Sequence, residues 1–175
     1  MNNGKAVRVV VLLLFFFILS NSVIFASSAY VLPYPSTMPG SKFYKLRIIL
    51  EQIEKYWYFG NLSQFKYSLS LSDRYLVEAK TLFEYNQFLL ANNALKKSDD
   101  YFLKASHFLL QARDEGKNVS EVQTNFIFAS QKHQEVLNSL EKELPEVYEW
   151  TPEKGNSSIL KIKEDIDNSI KLRQI

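Results

Sequence analysis

The sequence predicts an all-α fold: a bundle of four main helices and a short C-terminal helix, preceded by a hydrophobic N-terminal helix and a proline-rich strap. Two observations predict this fold. Apolar residues recur at intervals of three and four along most of the chain, which is the spacing of one face of an α-helix. The glycines and prolines fall between these periodic stretches and not inside them. Because cysteine is absent, we expect packing alone to hold the domain together.

The first 29 residues have the pattern of an export signal. Lys5 and Arg8 precede a mostly apolar segment, Val9–Phe25, and small residues follow it. This order is typical of a secretory signal peptide, whereas the length of the segment approaches what a membrane anchor needs. Residues 1–29 are therefore predicted to be a cleaved signal or a retained anchor. In both cases we expect the rest of the chain to be extracytoplasmic, either secreted or anchored to the cell membrane.

Residues 30–40 are predicted to form an extended strap. Three prolines within seven residues fix the backbone and remove hydrogen-bond donors, so neither a helix nor a central strand fits. Tyr30, Leu32 and Tyr34 alternate along this strap and can lie against an apolar surface. Three roles stay open: packing on its own domain, recognition as a peptide, or service as a spacer that holds the domain off the membrane.

The helical bundle is predicted over residues 41–144. The first helix has one apolar stripe, which is expected to face the core and consists of Phe43, Leu46, Leu50, Ile53 and Trp57. The four main helices are expected at about 41–59, 62–86, 90–115 and 120–144. A linker at 145–156 and a C-terminal helix at 157–173 follow.

The span between Gly60 and Gly116 contains neither glycine nor proline and could form one long helix. The apolar stripe changes phase near residues 85–93, where three asparagines can end a helix, and this predicts a break. The alternatives are a break nearer Lys97–Ser98 or one long helix in a coiled-coil dimer. The many Phe and Tyr side chains favour the globular bundle over a narrow coiled-coil seam.

Composition excludes several classes of function. The formal net charge is +2, and Lys5 and Arg8 account for it, so the chain after residue 29 is neutral. A neutral domain without a basic cluster lacks the electrostatic pattern of a nucleic-acid-binding protein. The few, scattered glycines do not fit a phosphate-binding loop or a hydrolase nucleophile turn. The lack of cysteine excludes thiol catalysis and Cys-containing metal sites.

The polar candidates favour structural roles. His133 lies on the apolar stripe of the fourth helix and is expected to be a hydrogen-bonded core residue, not a metal ligand. Asp73 and Glu78 lie five residues apart on different helix faces, so we expect surface ion pairs and not acid–base catalysis. Glu51 and Glu54 are expected on a solvated face. The sequence therefore predicts no catalytic, cofactor-binding or metal-binding residues, and no enzyme activity.

An aromatic cluster, Tyr56, Trp57, Tyr58 and Phe59, lies at the end of the predicted first helix. Four consecutive helical residues cannot all face one core, so part of the cluster must meet solvent, the strap or a partner. We expect the strap to pack on it, and sugar stacking is an alternative. The predicted interaction surface combines strap and cluster and consists of Tyr30, Leu32, Tyr34, Tyr56, Trp57, Tyr58 and Phe59.

Two stretches resemble a bacterial family of exported or membrane-anchored helical domains of unknown function. One is a Y-x-L-P-Y-P strap, matched here by Tyr30, Leu32, Pro33, Tyr34, Pro35 and Pro39, with Ser36 where the family has glycine. The other is an acidic–basic helix, matched by Asp73, Arg74, Leu76, Glu78 and Ala79. The resemblance covers about residues 30–110. It implies an extracytoplasmic all-helical domain and carries no catalytic residues.

These observations predict a non-enzymatic, envelope-associated helical interaction or scaffold module that needs no cofactor. Its expected partners are the membrane, through the N-terminal segment if that is uncleaved, and an envelope protein, but not nucleic acid. The alternative function is an extracytoplasmic sensor that binds a small ligand or a metal between its helices.

Overall fold

Helices form where the sequence is periodic in the computed structural model, which describes residues 30–35 and 37–175. The five helices are α1 (Tyr44–Glu54), α2 (Asn61–Glu84), α3 (Phe88–Asp114), α4 (Ser120–Glu143) and α5 (Ile162–Leu172). A 3₁₀ turn, Lys55–Trp57, extends α1. The predicted all-α class, with four main helices and a short C-terminal one, is confirmed. The hydrophobic helix predicted within residues 1–29 lies outside the described residues.

Helices α2 and α3 form an antiparallel hairpin around which the domain is built. The start of α2 meets the end of α3, where the Asn61 amide donates to Glu115 at 2.6 Å. Small residues let the two backbones approach closely. Ser72 and Ser98 are fully buried and each donates its hydroxyl to the other's carbonyl at 2.8 Å. This reciprocal pair satisfies four polar groups at the centre of the hairpin.

Helices α4 and α5 cover one side of the hairpin and complete the core. Towards the α2–α3 turn, Leu76 and Phe83 pack with Leu137 of α4 and with Ile162 of α5. Towards the other end, Phe65 and Phe102 pack with Phe126, whose ring lies 4.7 Å from that of Phe102. The apolar stripes of α2, α3 and α4 therefore face one another, as helical periodicity predicts.

The connection between α2 and α3 is a three-residue turn centred on Asn86. Asn86 has φ +56°, the left-handed conformation that asparagine tolerates better than most residues. The backbone N–H of Asn86 donates to the carbonyl of Phe83 at 2.9 Å, and the backbone N–H of Gln87 donates to the carbonyl of Leu82 at 2.8 Å. These two bonds form a Schellman cap. The structure thus has two helices where one long helix was the alternative.

The segment after α4 differs from the predicted linker and helix. Residues 148–150 and 158–160 pair as a short antiparallel hairpin, in which Tyr148 lies opposite Leu160. The Tyr148 ring packs 4.6 Å from Phe88 at the start of α3. Because residues 158–160 are in this strand, α5 begins at Ile162, later than the predicted start at 157. The two strands are too short for their alternation to stand out in the sequence.

Within residues 30–35 and 37–175, no helix combines the length and the apolar character that crossing a bilayer requires.

The geometry of Asn86 leads to a stability prediction. Asn86→Ala should lower the free energy of unfolding by about 1 kcal/mol, because a Cβ-bearing residue without a polar side chain is strained at positive φ. Asn86→Gly should preserve or slightly raise stability. In thermal denaturation, the alanine variant should melt about 2–4 °C below the wild type.

Gln87→Ala is the matched control, because Gln87 has an ordinary φ of −87°. Equal effects of the alanine substitutions at 86 and 87 would contradict the assigned turn.

Candidate functional site

Helix α1, which leads into the aromatic cluster of the predicted interaction surface, turns its polar side towards the bundle. Glu51 is 4% exposed and is the single buried residue of this helix. Its carboxylate accepts a hydrogen bond from the Tyr75 hydroxyl at 2.5 Å and pairs with Arg74 at 3.0 Å. The Tyr67 hydroxyl donates to the Glu51 carbonyl at 2.5 Å. The prediction of a solvated face is wrong for Glu51, because side chains of α2 take the place of water.

A second buried carboxylate, Glu78 of α2, fixes the start of α1. It accepts hydrogen bonds from the Tyr44 hydroxyl at 2.9 Å and from Arg47 Nη2 at 2.5 Å. Burial, together with the negative charge of Glu78, raises the pKa of Tyr44 to about 12. The expectation of surface ion pairs is wrong for both Asp73 and Glu78, since both side chains are buried. Sequence spacing shows which residues share a helix face, but it does not show that a neighbouring helix covers that face.

The apolar stripe of α1 points to solvent. Its five residues are between 47% and 72% exposed, and Ile49 beside them is also exposed. The prediction that this stripe faces the core is wrong. The surface of α2 opposite α1 offers the buried carboxylate of Glu78 and buried tyrosines, which need polar partners, so the polar side of α1 turns inward. We call the exposed set the outward face, defined as Phe43, Leu46, Ile49, Leu50, Ile53 and Trp57.

The aromatic cluster continues the outward face beyond α1. Tyr56 is exposed, as are Trp57 at 72% and Phe59 at 83%. Tyr58 is partly covered, because its ring stacks on Tyr67 of α2 at a centroid distance of 4.6 Å. Three of the four aromatic side chains therefore meet solvent.

The strap packs on its own domain, but not on the aromatic cluster. The Tyr30 hydroxyl donates to Asp73 Oδ2 at 2.6 Å, and its ring contacts the Phe65 side of the core. Leu32 contacts the Leu76 side. Tyr34 is 93% exposed. The expected packing of strap and cluster on each other is wrong, because the hydrogen bond to Asp73 and the core contacts hold the strap elsewhere. The structure thus separates the strap from the aromatic cluster, the two parts of the predicted interaction surface. That this surface binds a partner stays a prediction.

Exposed charge around the outward face is positive. Lys42, Lys45 and Lys55 are exposed, whereas of the two acids of α1 Glu51 is buried and Glu54 is half-buried. Arg47 is engaged with Glu78. The neutral composition of the domain therefore conceals a local cationic border on this surface.

A buried polar network joins the strap to α2, α4 and the C-terminus. Asp73 accepts from Tyr30 through one oxygen and bonds His133 Nε2 through the other at 2.7 Å. His133 Nδ1 accepts from Arg173 Nε at 3.0 Å. Arg173 then reaches Asp99 at 2.6 Å and Ser98 at 2.9 Å. Five separate segments of the chain, α3 among them, are thus connected by a network whose charge-assisted hydrogen bonds are stronger than neutral ones.

The contacts of His133 define its protonation state. Arg173 Nε can only donate, so Nδ1 of His133 must accept and the proton lies on Nε2, directed at Asp73. Burial lowers the pKa of His133, and the charge of Arg173 adds to this, against the opposing effect of Asp73. His133 is therefore the hydrogen-bonded core histidine that its sequence position predicts. In this arrangement neither ring nitrogen is open to a substrate.

Sequence reasoning missed Arg173, the largest fully buried side chain of the described residues. Its burial lowers its pKa, and Asp99 partly compensates. A signal was present, because the spacing of Ile162, Ile166 and Ile170 reaches position 173 on the same face of α5. An arginine there, with a histidine on the stripe of α4, indicated a buried polar contact between the two helices.

Two small cavities adjoin these elements. One of about 220 Å³ lies between α3, α4 and the C-terminus, and Leu109, Phe126 and Ile175 line it. The other, of about 370 Å³, lies where the strap meets α1, α2 and α3, and Tyr44, Glu78 and Lys97 line it. In the part of the chain that the structure describes, no three His, Asp or Glu side chains are grouped to hold a metal ion.

The sequence of residues 36–147 matches the domain of unknown function DUF5667. The chain belongs to this family. No curated protein and no solved structure matches this chain. The DUF5667 match covers α1 to α4, and with them the outward face, Glu51, Asp73 and His133. Arg173 lies beyond the match, so the buried network joins the DUF5667 region to a segment that follows it.

The inward side of α1 yields a second stability prediction. Glu51→Ala should lower the free energy of unfolding by about 3 kcal/mol, the lower end for a broken buried ion pair. The lower end applies because Arg74 is 30% exposed and Arg47 keeps Glu78 as a partner. Urea denaturation measures the change.

Glu54→Ala, which removes an acid from the same helix, should change stability by less than about 0.5 kcal/mol. If the two variants were equally stable, the assigned orientation of α1 would be wrong.

The network predicts a pH dependence. Since the folded-state pKa of His133 is below 6.5, the unfolded chain binds its proton first as the pH falls. The stability that neutral His133 contributes is therefore complete above pH 6.5 and is lost as the pH falls through the folded-state value. His133→Gln lacks this titration. The difference in unfolding free energy between wild type and variant should shrink below pH 6.5, by at most about 1.4 kcal/mol per pH unit.

Urea unfolding of both proteins over a pH series measures this difference. It should stay constant above pH 6.5, and parallel curves below that pH would contradict a neutral His133.

Proposed function

We propose that this DUF5667 protein is a non-enzymatic interaction or scaffold module that works at the cell envelope, on the extracytoplasmic side. One observation carries the proposal: α1 is locked to the bundle by its polar side and presents a continuous apolar face outward. The face includes six large apolar side chains on consecutive turns, and the exposed Tyr56 and Phe59 extend it.

The energetics of α1 support a binding role. Soluble monomers rarely expose contiguous apolar surface of this kind unless it serves for binding. Fully burying one large apolar side chain is worth roughly 1.5–3 kcal/mol, so covering six of them gives an envelope component ample driving force. The ion pairs of Arg47 with Glu78 and of Arg74 with Glu51 hold the face in place before binding. A preorganised surface loses less entropy when it binds.

The N-terminal sequence supports the cellular location. Lys5 and Arg8 followed by Val9–Phe25 have the order of an export signal or anchor. On this interpretation export brings the domain to the extracytoplasmic side whether or not the segment is cleaved, and a retained segment keeps it at the membrane.

The strap supports a structural role for itself. Tyr30 and Leu32 are engaged with the bundle, and of the predicted contact residues in the strap only Tyr34 is largely exposed. The binding surface we propose is therefore the outward face with its aromatic extension, while the strap braces the domain.

The proposal predicts a position-specific crosslink. A photoreactive residue in place of Leu50, in the full chain in intact cells, should give an adduct with an envelope component. The same residue in place of Leu103, an equally exposed leucine on α3, should give little. Leu46→Ser combined with Ile53→Ser should abolish the adduct at position 50 and leave the melting temperature unchanged, because these side chains are already exposed.

Equal labelling at positions 50 and 103 would refute a dedicated interaction surface. Gel mobility and mass spectrometry of the adduct provide the readout.

The cavity of about 370 Å³ favours a second function, a small-ligand sensor. Its volume lies in the range of small-molecule sites, and Tyr44, Glu78 and Lys97 provide polar groups within it. Native mass spectrometry of the protein purified from its own cells distinguishes the two functions. A bound small molecule that is lost in a Lys97→Met variant would support the sensor.

A further inference from the structure

We propose that the outward face docks on the surface of an anionic lipid bilayer, with α1 lying in the plane of the headgroups. This inference rests on the proposed function, because it names the partner of the same face. Three features of the face carry it: the width of its apolar arc, the sign of its border charges and the position of its aromatic side chains.

The apolar arc has the width of an interfacial helix. At about 100° per residue, Phe43, Leu46, Ile49, Leu50 and Ile53 fall within an arc of roughly 120° on α1. A helix with such an arc can immerse it at the boundary of headgroups and acyl chains while its polar side stays out of the lipid. Here the polar side is covered by α2, where Arg47, Glu51 and Tyr44 have their partners. The charges of Arg47 and Glu51 therefore stay paired within the domain when the helix meets lipid.

The border charges complement an anionic surface. Lys42 and Lys45 lie beside and in the first turn of α1 and Lys55 follows its last residue; all three are exposed, whereas Glu51 is buried and Glu54 is half-buried. Lysines beside an apolar arc can extend their charged ends to the headgroups while their stems lie on the apolar surface. Each lysine near an anionic membrane strengthens binding by roughly fivefold.

The aromatic residues occupy positions suited to the membrane interface. Trp57, Tyr56 and Phe59 are exposed at one end of α1, and Phe43 is exposed at the other. Trp and Tyr favour the headgroup level because each has an apolar ring and a polar group. This role also accounts for Tyr56, Trp57 and Phe59, aromatic residues that the bundle core does not use.

The chain upstream is compatible with this docking. About 18 residues separate Phe25 from Phe43, and a chain of that length spans at most about 65 Å. If Val9–Phe25 is retained as an anchor, the outward face stays within that distance of the bilayer. Tethering at such short range raises the effective concentration of the face at the membrane.

The same charges argue against a second copy of this chain as the occupant. A symmetric dimer would join identical patches, so the exposed lysines of one face would lie near those of the other. Like charges across an interface oppose association. A protein partner would need an apolar groove bordered by acids. Crosslinking at position 50 and quenching of Trp57 distinguish such a partner from a bilayer.

The test uses the full chain in lipid vesicles with Trp57 as its single tryptophan. The chain has two tryptophans, so Trp150→Phe leaves Trp57 alone. In vesicles of phosphatidylcholine with phosphatidylglycerol, Trp57 emission should shift to the blue and be quenched by lipids brominated on the acyl chain. Quenching should weaken in phosphatidylcholine alone and at high salt, which screens the lysines. Trp57→Phe, which leaves Trp150, is the control and should show little quenching.

Two sets of substitutions localise the effect. Leu46→Ser with Ile53→Ser should abolish quenching of Trp57, whereas Leu103→Ser with Leu110→Ser on α3 should not. Replacing Lys42, Lys45 and Lys55 by Gln should reduce quenching in the anionic vesicles and remove its salt dependence. An unchanged melting temperature shows that each variant is folded.

The outcomes separate this inference from the proposed function. A phospholipid adduct at position 50 in cells supports membrane docking. A protein adduct there, with Trp57 unquenched in vesicles, overturns docking and leaves the interaction module standing. Because the chain has no native cysteine, disulfide-linked dimers of a Leu50→Cys variant, with Trp57 unquenched, would show a second copy to be the occupant and overturn docking. No adduct at position 50 together with unquenched Trp57 would overturn both proposals.

Discussion

Two buried carboxylates, Glu51 of α1 and Glu78 of α2, determine which side of α1 is exposed, and with it the proposed binding surface. A carboxylate removed from water needs charged or hydrogen-bonding partners, or its burial costs several kcal/mol. Arg47 meets this need by reaching both acids, and Arg74 with the tyrosines of the two helices completes the set. These partners lie on the polar side of α1 or on the surface of α2 that faces it, so the polar side turns inward. The apolar side is exposed as a direct consequence.

A second polar system holds the opposite side of the domain together. Asp73, His133 and Arg173 form a continuous chain of hydrogen bonds, which Tyr30 joins from the strap. A buried network is costly unless every member has a partner, and a satisfied network specifies one arrangement of its helices. The two ends of the described chain are therefore fixed to its centre. The outward face thus belongs to a platform braced on both sides of the α2–α3 hairpin.

This arrangement gives the outward face the properties of a binding surface. The side chains of α1 that meet solvent are mostly apolar or cationic, and the buried Glu51 serves to fix the helix. Cohesion within the domain and contact with the outside thus use opposite sides of one helix. Since polar pairs hold α1, a partner can cover its apolar side without displacing any contact of the bundle.

The sequence by itself determined the helices, the break between α2 and α3, and the core position of His133, because these follow from periodicity and local turn chemistry. The phase change of the apolar stripe and the asparagines placed the break within residues 85–93, and the structure has the turn at Asn86. Only the tertiary structure decided which side of α1 faces inward. Periodicity groups residues on a face, but the orientation of that face depends on what α2 presents, namely Glu78 and Tyr75, from distant positions in the chain. For the same reason the place of Arg173 beside His133, 40 residues away, was decided by the packing of α5 on α4.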